Sequence, residues 1–270
     1  MHPKTLVKAF ITASLLIAVI YSIINGFVSS KNSHLTDDLK TRENNTSNTP
    51  PRVDTPPSEI LSNQYRIDYI VVRLPDTIEL YSNLNEKLSS TEAAKKYKCA
   101  SLVSGGFYTT EFRHVGLFYN NGDLASREIK HNVFDGFIIS TKDNSLYISK
   151  TPPKDYENLK LALQAGPIIY YNRKPTTISS EASKERARRI VAATTQDGDI
   201  IFMVLKSKNN PLDGPTLDEL PKLIDTISNQ KSFNIEAAIN LDGGSHSSFL
   251  TGTSNTYEVS TIGSFFCIKI

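Results

Sequence analysis

The stretch NLDGGSHSS, Asn240 to Ser248, decides how the rest of this chain is read. It begins inside the apolar run IEAAINL (235–241), whose length and composition read as a short buried strand. Side chains alternate along a strand, so Asn240 and Asp242 share a face if extended geometry persists that far. Gly243 and Gly244 then bring no side chain, which lets a ligand approach the backbone. Ser245, His246, Ser247 and Ser248 add hydroxyls, an imidazole and successive N–H groups that can form an anion-binding concavity. The competing reading is a plain strand-ending turn, because Asp-Gly is also common turn chemistry.

Working outward, the chain from about Tyr65 to Ile270 alternates strand and turn signals. YRIDYIVVRL (65–74) is rich in β-branched and aromatic residues. Ser89 with Glu92 three residues on is a capping box that opens a short helix. Asn121-Gly122 and Asp197-Gly198 each sit between apolar runs, the first as a type I′ hairpin signal. Leu217, Leu220, Leu223, Ile224 and Ile227 fall on one helical face, with Pro221 tolerable only in the first turn or at a kink. Hairpins with two helices predict an α+β domain built on a largely antiparallel or mixed β-sheet with flanking helices.

Other groups with chemical potential are scattered. Gly105-Gly106 ends a strand, either as a bulge or as a second bare stretch of backbone. Gln164 precedes Ala-Gly-Pro. Arg186, Arg188 and Arg189 read as a solvated charge run, or, if Arg189 points inward, as a donor fork for phosphate. His114 is an acid–base candidate or a structural hydrogen-bonding residue. Adjacent Ser245 and His246 do not make a hydrolase pair, since neighbours on an extended chain point to opposite faces. No dense carboxylate cluster marks a metal site, and no nucleotide loop calls for a cofactor.

Charge and composition narrow the class. Thirty basic against 28 acidic residues leave a net charge of +2, too balanced for a nucleic-acid-binding face. With 39% hydrophobic residues a packed core is expected. The run from Ala9 to Val28 holds 20 residues without a charge, about 30 Å as a helix, enough to span a bilayer. Lys4 and Lys8 precede it, which predicts an uncleaved signal anchor (1–28) with the N-terminus in the cytoplasm and the following domain outside it; cleavage would make the protein secreted. Residues 29–64, rich in Asn, Thr, Pro and charge, read as a flexible linker. Cys99 and Cys267 both lie in apolar, strand-like runs; they read as two buried thiols or as a disulfide between strands.

The ordered set SGGFY, HVGLFYNNGDL, QAGPIIYYNRKP, ARRIVAATTQDGDIIFMV, TLDELPKLI and INLDGGSHSSF resembles the phosphodiester glycosidase domain, the family of the uncovering enzyme that removes N-acetylglucosamine from a sugar–phosphate diester. The resemblance spans nearly all of 65–270, a single domain. Departures are Ser104 where Asn is usual, Ser245-His246 within the usual Gly-Ser run, Ile190 for Thr and Ala193 for Gly. The resemblance implies cleavage between an anomeric carbon and a phosphate oxygen. It casts Asp242 as the carboxylate that stabilises the cation or activates water, and Arg189, with Arg188, as the phosphate grip. Gly105, Gly106, Gly243 and Gly244 would admit the sugar phosphate. Ser247, Ser248 and Gln164 would bind hydroxyls or phosphate oxygens, with Asn240, Ser245 and His114 beside them. His246 would tune substrate choice or act as an acid. The implied partner is a sugar-phosphate or glycan substrate of the cell envelope, with no cofactor. A non-catalytic carbohydrate-binding module and a structural envelope protein are the alternatives.

Overall fold

The computed structural model describes residues 53–73, 77–178 and 184–269, and they belong to one globular unit. The uncharged run at 9–28 and most of the expected linker lie outside the described residues. Among the described residues no helix is long and apolar enough to cross a membrane.

Three sheets carry the fold. The largest contains β1 (Val53–Asp54), β2 (Glu59–Ile60), β3 (Tyr65–Val72), β11 (Ile168–Tyr171), β12 (Lys174–Pro175), β13 (Arg189–Thr195), β14 (Ile200–Ser207) and β15 (Ile235–Leu241). Its order is β1-β3-β14-β13-β15-β11-β12, with β2 also paired to β3. The second sheet holds β6 (Phe118–Asn120), β7 (Asp123–Ser126), β8 (Gly136–Thr141), β9 (Leu146–Ser149) and β10 (Leu159–Ala165), in the order β7-β6-β10-β8-β9. The third holds β4 (Ile78–Ser82), β5 (Ser101–Ser104), β16 (Phe249–Leu250), β17 (Asn255–Thr256) and β18 (Ser264–Ile268), in the order β17-β16-β5-β18-β4. Among the described residues every strand pair is antiparallel, so of the two sheet types expected the antiparallel one is found. Short hairpins explain this: Asn121 and Gly122 take positive φ (45° and 95°) between β6 and β7, as a type I′ turn requires.

One face of each sheet turns inward. Ile190, Phe202, Ile239 and Leu241 of the large sheet meet Ile138, Leu161 and Leu163 of the second and Val103, Phe249 and Phe266 of the third. The other face of the large sheet is covered by helix α2 (Leu220–Lys231), which carries Pro221 in its first turn. Its Leu220, Ile224 and Ile227 are buried against Val191, Ile201 and Met203. Each such side chain stabilises the fold by about 1.5–3 kcal/mol. Helix α1 (Ser90–Tyr97) has the expected reciprocal Ser89–Glu92 capping box and covers the outer face of the third sheet through Ala93.

Two expectations are corrected. Val53–Asp54 and Glu59–Ile60 pair with β3, so the sheet begins before Tyr65, within the segment read as linker. These additions are two residues long, too short to leave a hydrophobic signature in so polar a stretch. Of the two readings of Cys99 and Cys267, the disulfide is the one present, but the placing of both in strands is corrected. Cys99 is not in a strand: α1 ends at Lys98 in left-handed geometry (φ 56°), and β5 starts at Ser101.

Candidate active site

Segments far apart in sequence are bound together at the end of the large sheet where β15 finishes. Gly166 N–H donates to Asn240 O at 3.0 Å, and Asn240 N–H donates to Pro167 O at 3.0 Å. Beyond Leu241 the chain leaves β13 and crosses to the third sheet. Asp242 N–H donates to Gly105 O at 3.0 Å, Ser104 N–H donates to Ser248 O at 2.9 Å, and Phe249 pairs with Val103. Gly244 N–H donates to Arg188 O at 2.8 Å, tying the same loop to the start of β13. The four motifs containing Gly105, Gly166, Arg188 and Asp242 are therefore assembled by backbone hydrogen bonds.

Asp242 is the carboxyl at this junction, and its ionisation is altered. Its carboxyl is partly open to solvent but closely surrounded by protein, and the loss of hydration pushes its pKa up to about 8. The Gly243 N–H opposes that shift. No ion pair joins Asp242 to a cation among the described residues. Beside it stands Tyr108, whose hydroxyl is raised above its usual range, first by burial and then by the Asp242 charge. Tyr108 donates to Thr261 O and meets the His246 ring edge-on, with centroids 5.8 Å apart. A Cβ at Gly263 would lie 2.3 Å from the Tyr108 ring, so that glycine makes room for the tyrosine. Sequence reasoning passed over Tyr108 and Gly263; the only available signal was the aromatic immediately after SGGF.

Most other expected site residues hold the scaffold. Arg188 is buried, and its guanidinium donates to Ser247 Oγ (2.9 Å), Gly244 O (2.8 Å), Ser247 O (2.6 Å), Tyr257 O (3.1 Å) and Pro211 O (3.3 Å). Burial lowers its pKa to about 10, still charged at neutral pH. Arg189 is also buried and donates to Pro215 O at 3.0 Å and to Glu185 O. The donor fork expected to face a phosphate thus faces carbonyls, because Arg188 just before β13 and Arg189 at its first residue lie where irregular loops need capping. Gln164 is similarly engaged: its Oε1 accepts from Leu117 N–H (3.1 Å) and Ile129 N–H (2.9 Å), and its Nε2 donates to Ile129 O and Phe134 O (both 2.7 Å). Ser247 and Ser248 are buried, their hydroxyls bonded to Gly244 O and Thr256 O. Three of the four glycines meet chain, not open space, whereas at Gly244 (φ 61°) an added Cβ would come no closer than 4.0 Å to Ala187 Cβ. A Cβ at Gly105 would lie 2.7 Å from Ser264 Oγ, at Gly106 2.8 Å from Leu163 Cδ1, and at Gly243 2.5 Å from Arg188 O.

Gly244, Ser245 and His246 form a partly exposed 3₁₀ turn directly after Asp242 and Gly243. Ser245 Oγ and His246 Nδ1 are 3.1 Å apart, and Ser245 O accepts from Val259 and Ser260 N–H. His114 stands elsewhere, bonded to Ser82 Oγ (2.9 Å) and stacked on Phe118; burial drops its pKa to about 4, so it is neutral. Asn240 is buried, its Nδ2 donating to Gly166 O (3.0 Å) and its Oδ1 without a partner. No cluster of three or more His, Cys, Asp or Glu side chains suited to a metal occurs among the described residues. One strand over, between β11 and the loop before β8, lies a cavity of about 860 Å³ that Asp242 does not line.

Residues 97–265 match the model of the phosphodiester glycosidase family. Among solved structures, the chain is similar to the zebrafish N-acetylglucosamine-1-phosphodiester alpha-N-acetylglucosaminidase catalytic domain auto-inhibited by its pro-peptide. That match has a TM-score of 0.63 at 16% identity and covers 83% of this chain and 85% of that one. A hypothetical protein from Synechocystis matches with a TM-score of 0.51 at 11% identity, over 80% of this chain and 61% of that one. At these identities the likeness is one of fold. No curated protein matches by sequence.

Proposed function

We propose, from the premise that the chain belongs to the phosphodiester glycosidase family, that it hydrolyses the bond between a sugar's anomeric carbon and a phosphate oxygen. The observation that carries this reading is Asp242, a desolvated and unpaired carboxyl at the point where four family motifs are tied together. Glycoside cleavage passes through an oxocarbenium-like transition state. A phosphate leaves as a weak base, so the reaction needs little proton donation and one well-placed carboxylate suffices. Asp242 in its ionised form takes the proton from water attacking the anomeric carbon. Its raised pKa makes it a stronger base than an ordinary carboxylate. His246 and Tyr108 border the sugar-binding space, and the scaffold residues Arg188 and Gln164 hold the loops that shape it.

The substrate belongs to envelope or exported glycans in this reading, with the domain outside the cytoplasm. The Cys99–Cys267 disulfide supports an oxidising compartment, and the uncharged run at 9–28 supports a membrane anchor. The test is a panel of sugar-phosphate diesters, assayed for free sugar and phosphate monoester. The wild type releases both, and Asp242→Asn lowers turnover at least about 100-fold. Saturable binding without release marks a carbohydrate-binding module instead, and near-normal turnover by Asp242→Asn removes Asp242 from the role.

A further inference from the structure

A phosphodiester needs a cationic contact, and among the described residues no cation is paired with Asp242. No ion pair reaches that carboxyl, Arg188 is saturated by loop carbonyls, and Arg189 is turned to Pro215 and Glu185. A built alternative is the cavity beside β11. Its wall includes Pro167, whose carbonyl accepts from Asn240 N–H, two residues before Asp242. One inter-strand step and two residues of chain place that wall roughly 8 Å from the backbone of Asp242. The water held by the carboxyl, the C1–O–P linkage and its phosphate oxygens together span such a gap.

The cavity's charge fits an anion. Lys130 and Lys150 line it with His131, against the single carboxyl of Asp135. Asp135 is half-buried, and its Oδ1 accepts from Ile168 N–H at 2.8 Å, so it is anchored to the wall. Lys150 lies 4.7 Å over the Tyr171 ring, and its charge also acts on the Asp135 carboxyl. Neither lysine is engaged in a salt bridge among the described residues. At about 860 Å³ the space falls within the ~300–1,000 Å³ of small-molecule sites, larger than a phosphate alone requires.

We infer that this cavity receives the phosphate and the group esterified to its far side, with Lys130 and Lys150 holding the anion. This rests on the reading of the protein as a diester hydrolase. It assigns the leaving-group subsite to lysines of the β7–β8 loop and the end of β9, not to the arginines of β13. As the anomeric C–O bond breaks, the phosphate gains a negative charge, and the same two ammonium groups stabilise it.

The experiment compares wild type, the Lys130→Gln/Lys150→Gln double variant and Lys222→Gln, an exposed lysine on α2 that serves as the charge control. Hydrolysis is measured on the methyl phosphodiester of N-acetylglucosamine 1-phosphate, and equilibrium binding on glycerol 3-phosphate by calorimetry. Charge-assisted contacts give about 10-fold per lysine. The double variant is therefore expected to lose about 100-fold in kcat/KM and about 100-fold in affinity for glycerol 3-phosphate. Lys222→Gln stays within about twofold in both. Values for the double variant within about threefold of wild type overturn the inference while leaving the hydrolase reading intact. If the wild type cleaves no diester, the hydrolase reading falls, and glycerol 3-phosphate binding alone decides the cavity. Binding lost in the double variant then keeps the anion site, and binding absent from wild type or unchanged in the variant removes it.

Discussion

Replacing Asp242 by Asn is expected to stabilise the protein at alkaline pH and to leave it unchanged in acid. The reasoning starts from the carboxyl's pKa, moved from 3.8 to about 8 by loss of hydration. A raised folded-state pKa means that the folded protein binds a proton which the unfolded chain has already released. Stability from this group is present in full below about 4 and is lost as pH rises through about 8. At about 1.4 kcal/mol per pKa unit the ceiling is roughly 6 kcal/mol. Asp242 keeps partial contact with solvent, which reduces the expectation to about 2–3 kcal/mol. For a domain of this size that is a melting-temperature difference of about 5–10 °C. The assay is thermal unfolding of wild type and Asp242→Asn from pH 4 to pH 9, read as the difference between the two curves. His114, held neutral by burial, contributes equally to both proteins and cancels. A difference that grows with pH and levels off above about 8 supports the argument. Parallel curves show that the Asp242 carboxyl is hydrated like a surface group, and the case for a perturbed base fails with it.

The same carboxyl sets a pH–rate expectation: with the ionised form active, kcat/KM rises tenfold per pH unit up to about 8 and is flat above it, whereas a profile falling through that range identifies Asp242 as an acid. Gln164→Ala is expected to act on folding instead of on substrate affinity. It strands the N–H groups of Leu117 and Ile129 and two carbonyls, costing about 3 kcal/mol or more in denaturant unfolding. An unchanged midpoint with a raised KM returns Gln164 to the substrate.

What the sequence disclosed and what it concealed separate along a physical line. Local signals translated directly: the Ser89–Glu92 box opens α1, Pro221 sits in the first turn of α2, and Asn121-Gly122 turns the β6–β7 hairpin. Each depends on residues within one turn of each other. The direction of a guanidinium does not. Arg188 meets Ser247 and Tyr257 across 59 and 69 residues, and nothing in ARRIV distinguishes a fork that grips phosphate from one that caps carbonyls. The glycine pairs were legible as places of close approach, yet what approaches Gly105, Gly106 and Gly243 is Ser264, Leu163 and Arg188.

The order of motifs survived because the junction is held by main-chain hydrogen bonds, from Asp242 to Gly105, Gly244 to Arg188 and Gly166 to Asn240, which are indifferent to side-chain identity. That explains how Ser can stand at position 104: its N–H pairs with Ser248 O, while its hydroxyl reaches Asp242 O only at 3.4 Å. It also locates variation. Ser245 and His246 fall in the partly exposed turn between the tethers at Gly244 and Ser248, where a side-chain change alters the rim of the site and not its frame. With arginines, glutamine and glycines engaged in that frame, the chemistry contracts to Asp242 and to whatever cation can reach a phosphate beside it.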